Sequence, residues 1–191
     1  MIKFRLTDDA MNQKRVNESG PTAVLAQSLR VKIGEQIELT ERLMTRIPAD
    51  KLAWQPLPEA FCVGDLLGHL LETLAGFCAA LYVLRSDQLS HFSKLRDQQV
   101  NHFCGIEEAS ERLRQYQKRI EEGFALVNDE DLKRNLPTLF VAEGESAMMI
   151  LLGNLEHLIN HKHQLFFYLK LLGVPVETAD LYYFRGTQSP K

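Results

Sequence analysis

The sequence predicts an all-α protein built as a four-helix bundle. Three observations carry that expectation: four long stretches repeat apolar residues at three- and four-residue steps, prolines and glycines fall between those stretches, and runs with strand-like alternation are scarce. A chain of 191 residues can bury a substantial single core without disulfide or metal staples.

The leading segment 1–20 has no sustained period and reads as an arm, with the helical domain spanning 21–191. Ser19-Gly20-Pro21-Thr22 supplies a turn and helix-start chemistry, and the first helix is expected over Thr22 to Ile47 through Leu29, Ile33, Ile37, Leu43 and Ile47, stopping before Pro48. Pro56 and Pro58 mark the connection, since proline removes a donor and turns its predecessor away from helix. A second helix runs from Val63 to about Leu84, with Leu66, Leu67, Leu70, Leu71, Leu74, Phe77, Cys78, Leu81 and Tyr82 as its buried stripe and His69 at the stripe's edge. Asp87 to Gly105 is polar and irregular, with room for one short helix pinned by Phe92, Leu95 or Phe103. Glu107 to Val127 forms a third helix through Leu113, Tyr116, Ile120 and Phe124, which Asn128-Asp129 ends or interrupts. Leu136 to Gly144 is a connector, extended around Thr138 to Val141. Ser146 caps a fourth helix that reaches Leu172, with Gly173 and Pro175 as its stop.

Composition excludes several classes. The formal charge of −3, from 22 basic and 25 acidic residues spread evenly, lacks the basic face that nucleic-acid binding needs. Cys62, Cys78 and Cys104 form no C-x-x-C pair, which argues against a disulfide framework and a thiolate zinc site and for reduced thiols in the cytoplasm. The polar start lacks the apolar core of a signal peptide, and the longest apolar stretches carry His69, Glu72 or Asn154 in or beside them, so no membrane partner is expected.

His157 and His161 stand four apart in the last helix. Four residues at ~100° each bring both imidazoles to one face about a turn apart, so they can share an ion. Spacing alone fits equally well a pair that donates to carbonyls or acids on another helix. His69, from a helix that a bundle places opposite, tips the balance toward a site of three nitrogens plus water, an open coordination suited to zinc or nickel. His163 lies ~200° round from His161 and points elsewhere; His91 and His102 read as ordinary polar residues. Glu72 and Glu156 are candidate acceptors for a ring N–H, though solvated acids are the stronger expectation. Cys62, at a helix start where the dipole lowers a thiol pKa, is a weak candidate nucleophile about 10 Å along the helix from His69. For Trp54, Lys162 and Lys170 a packed indole and solvated lysines are expected ahead of substrate contacts.

Trp54-Gln55-Pro56-Leu57-Pro58, then Phe61-Cys62-Val63-Gly64-Asp65 leading to His69, then His157-x-x-x-His161-Lys162-His163-Gln164 with Tyr168-Leu169-Lys170 and Gly173, resemble the motifs of the DinB-like (YfiT-like) metalloenzymes. The match spans about Trp54 to Pro175. The resemblance implies a four-helix bundle holding a divalent metal, commonly nickel or zinc, on His69, His157 and His161. It further implies a metal-dependent enzyme, such as an S-transferase using a low-molecular-weight thiol or a hydrolase, acting on a small-molecule substrate as a homodimer. A metal-stabilised stress-response or binding module without catalysis is the alternative. Four positions depart from the family pattern: Phe61 for tryptophan, Cys62 for the capping serine, Lys162 for arginine and His163 for glycine.

Overall fold

The computed structural model describes residues 22–95, 99, 101–137 and 143–183. It is all-helical, with long helices α1 (Val24–Met44), α2 (Val63–Leu84), α3 (Ile106–Phe124) and α5 (Ala147–Leu171), and a one-turn α4 (Asp129–Leu132). The only strands among the described residues, β1 (Asn135–Leu136) and β2 (Glu145–Ser146), pair antiparallel and lead into α5. The expected extended run at Thr138 to Val141 and the arm 1–20 lie outside the described residues. The expected short helix in the irregular connector is a 3-10 segment, Ser90–Leu95, with Phe92 buried and Phe103 exposed.

α2 and α1 each pack against both α3 and α5. The stripe read from periodicity in α2 is the core: Leu66, Leu67, Leu70, Leu71, Leu74, Phe77, Cys78 and Leu81 are all buried. Each such leucine contributes roughly 1.5–3 kcal/mol by leaving water. By length and mean hydropathy (1.6) α2 is also apolar enough to cross a membrane, yet 61% of that stretch is buried inside the fold. On α5, Leu151 and Leu155 are buried while Leu152 is exposed.

The start of α1 departs from the local reading. Its N-terminus receives no side-chain cap from its own chain neighbourhood; the Asp129 carboxylate accepts from the Leu25 and Ala26 N–H groups at 3.0 Å each. Asp129 can do this because Asn128 restarts the chain as a helix cap, closing a reciprocal capping box with Asp131. Asp131 also pairs with Arg85 at the end of α2, which donates to the Leu126 carbonyl just past α3, so one short turn ties the ends of α1, α2 and α3 together. The C-terminal stop of α5 is as expected: Gly173 has φ 75° and the Val174 N–H reaches back to the Leu169 carbonyl at 2.9 Å.

Two glycines of α2 let another part of the chain cross the helix at close range. A Cβ at Gly68 would lie 1.9 Å from the His102 carbonyl oxygen, and one at Gly64 would enter the Phe103 ring. The strap 101–104 therefore lies directly on α2 and is fixed there by the Cys104 N–H bond to the Gly64 carbonyl at 3.0 Å.

Candidate metal centre

His69 on α2 and His157 and His161 on α5 come together, each half-buried, with one nitrogen from each ring within 4.8 Å of the other two. The ring centroids are 4.4–4.9 Å apart, and the Nε2 atoms of His69 and His157 approach to 3.1 Å. Phe61 lies against the cluster, its ring 5.0 Å from His69 and 6.4 Å from His161.

Hydrogen bonds decide which nitrogens face inward. A carboxylate only accepts, so Glu72 Oε2, 3.0 Å from His69 Nδ1, takes the Nδ1–H and leaves the lone pair on Nε2. Asn101 of the strap donates to the same Glu72 oxygen at 2.9 Å and holds the acid in place. On α5 a longer chain gives the same result. The Phe61 carbonyl accepts from the Tyr168 hydroxyl (3.0 Å), which accepts from Gln164 Nε2 (2.9 Å), so the Gln164 oxygen must accept from His161 Nδ1 (2.9 Å). His161 Nε2 is thereby left as an acceptor.

Burial lowers the pKa of His157, helped by the neighbouring His69 and opposed by Glu72. Burial likewise lowers that of His161, with the Gln164 hydrogen bond opposing and His69 and His157 adding to the fall. Both shifts favour the neutral form that a metal ligand requires. The inward lone pairs and tethered outer nitrogens of His69 and His161, with His157 beside them, fit a divalent ion with affinity for imidazole.

The other candidates resolve differently. His163 bonds the Ile159 carbonyl of its own helix and takes no part in the cluster. Cys62 caps α2, accepting from the Asp65 N–H and donating to the Asp65 carboxylate; burial, then that hydrogen bond, push its thiol pKa up, opposite to what a nucleophile needs. Trp54 packs edge-on against Tyr168. Lys162, read as solvated, is buried at 1% exposure, donating to Gln36 Oε1 of α1 at 2.6 Å and to the Leu181 carbonyl at 2.8 Å. It points away from the histidines, roughly 100–140° round the helix, toward Gln36 of α1 and the C-terminal segment, which it clasps.

A second group was not anticipated: His102, Cys104 and Glu108 also lie within ligand reach of one another. Arg112 sits among them, its Nη1 3.3 Å from Glu108, 3.4 Å from Cys104 Sγ and 3.4 Å from each His102 ring nitrogen. Sequence spacing places Arg112 one turn after Glu108, a signal readable as an ion pair but not as the centre of a cluster.

No protein-family model and no curated protein sequence matches the chain. Solved structures do. A DinB-like protein from Bacillus subtilis superposes with a TM-score of 0.61 at 17% identity, covering 78% of this chain and 96% of its own. A proposed DinB family member from Exiguobacterium sibiricum superposes with a TM-score of 0.57 at 22% identity, covering 84% of this chain and 99% of its own. The chain has the fold of DinB-like proteins.

Proposed function

We propose that the protein binds one divalent transition metal, nickel or zinc, through His69, His157 and His161, and that it is a metal-dependent enzyme of the low-molecular-weight-thiol transferase type. The observation that carries the metal assignment is the convergence of three ring nitrogens, two with their outer nitrogen already committed to Glu72 or Gln164. A bound ion would supply Lewis acidity and lower the pKa of a coordinated water or thiol.

The chain's own residues do the rest. Glu72, Gln164 and Tyr168 orient the imidazoles, Asn101 steadies Glu72, and Phe61 covers one side. The partial exposure of all three histidines favours a position open to small molecules over a sealed structural ion. No protein thiol is poised to react: burial pushes Cys78 to about 12 and, with Glu108, Cys104 to about 11, which suits a thiol delivered from outside. Three free cysteines also suit a reducing, cytoplasmic setting, and the motif resemblance read from the sequence implies a homodimer.

Elemental analysis of protein purified without a histidine tag tests the metal: about one ion per chain is expected, and none from His157→Ala. Equal metal in both would contradict the assignment. Incubation of the loaded protein with bacillithiol, mycothiol or glutathione and a model electrophile tests the transferase reading, which falls if no thiol gives a rate above the metal-free control.

A further inference from the structure

The seam between α2 and α5 carries more than the histidines. Beyond them it opens into a cavity of about 530 Å³, within the ~300–1,000 Å³ usual for small-ligand pockets. At ~100° per residue, Gly76 and Ala80 fall within roughly 20° of His69 around α2, and Ile150 within roughly 20° of His157 around α5. The cavity and the histidines therefore share one pair of helix faces. Gly76 and Gly153 contribute no side chain to its walls, Ala80 only a methyl, and the remaining lining is largely aliphatic.

Asn154 stands at the junction. It lines the cavity, lies one turn before His157, and its carboxamide would be 3.1 Å from a Cβ at Gly76. Among the described residues its amide has no hydrogen-bond partner, so both a donor and an acceptor face the seam between an apolar groove and three imidazoles.

We propose that this groove is the tail site of an amphiphilic substrate: a linear, medium-length apolar chain lies along Gly76, Ala80, Ile150 and Gly153. Asn154 reads a polar linkage, and the polar head reaches the histidines about 10 Å away at ~1.5 Å of helix rise per residue. The head's destination rests on the metal assignment above; the tail site stands without it.

Calorimetric titration with n-alkyl hydroxamates from butyl to decyl, which carry a chelating head, and with n-alkyl alcohols of the same lengths, which do not, tests both parts. Gly153→Leu is the blocking variant, because a Cβ there meets nothing within 4 Å and the added side chain enters open space. Affinity in the unmodified protein is expected to rise roughly fourfold per methylene in both series, and to become independent of length in Gly153→Leu at unchanged metal content. As a readout independent of that variant, the Met149 methyl resonance, at the groove wall, is expected to shift with decanol while buried Met44 stays put. Metal loading with length-independent affinity in both series, and a stationary Met149, would overturn the groove and spare the metal centre. Length-dependent alcohol binding in a protein that takes up no metal would uphold the groove and sink the metal reading.

Discussion

Two clusters of potential metal ligands face opposite fates. His69, His157 and His161 meet with the lone pairs of His69 and His161 inward and no cation among them, whereas His102, Cys104 and Glu108 meet around the Arg112 guanidinium. Both satisfy the same proximity. What separates them is that the second already holds its positive charge, and that burial and Glu108 push the Cys104 thiol pKa up to about 11, away from the thiolate a metal would need. Ligand types within reach are a weak criterion; which atoms keep an unpaired, inward lone pair is a strong one.

The contrast is broken most severely at the ligands. His69→Ala or His161→Ala is expected to abolish stoichiometric metal, while Cys104→Ser leaves it unchanged, both read by elemental analysis. Equal losses from the two sides would erase the distinction. A substitution that reaches both clusters comes next. Gly68→Ala drives a methyl into the His102 backbone, so it should cost about 1–3 kcal/mol in denaturant unfolding and weaken metal binding by shifting Asn101 off Glu72. An unchanged unfolding midpoint would mean that the strap yields freely.

Finer tests act on the tethers. Glu72→Ala and Gln164→Ala each remove the acceptor that fixes one outer ring nitrogen, and each should reduce metal affinity by about 10-fold or more without abolishing stoichiometry. Competition with a chromophoric chelator measures this. Affinities equal to the unmodified protein would show that the tautomers are set elsewhere.

The smallest expected effect lies on the far face of α5. Burial, then Lys32, lower Lys162 from 10.5 to about 8. Between those values the unfolded chain binds the extra proton, so this residue's contribution to stability rises with pH across the window and is unfavourable below it. Thermal midpoints of Lys162→Met relative to the unmodified protein should show that slope removed between pH 8 and 10. A parallel pair of curves would contradict it.

Much of this was readable from sequence, and the reasons differ by region. The α2 stripe was legible because every third or fourth residue is apolar and the helix is buried along one face. The histidine trio was legible from a four-residue step plus one interruption of that stripe. Gln164 and Tyr168 were in view as part of the final-helix motif, but their role depends on a hydrogen-bond chain ending at the Phe61 carbonyl, 107 positions from Tyr168. Asn101 and Arg112 act across the strap, whose path is set by Gly64 and Gly68 and leaves no periodic trace. Lys162 looked like any surface lysine, since nothing local announces that α1 and the segment at Leu181 close over it.

The central claim is that ions choose the first cluster and not the second. An anomalous-difference map, collected at the absorption edge of the resident metal from crystals of tag-free protein, addresses it directly. The account predicts one peak about 2.0–2.1 Å from nitrogens of His69, His157 and His161. A peak at His102, Cys104 and Glu108, or none beside the three histidines, would contradict it.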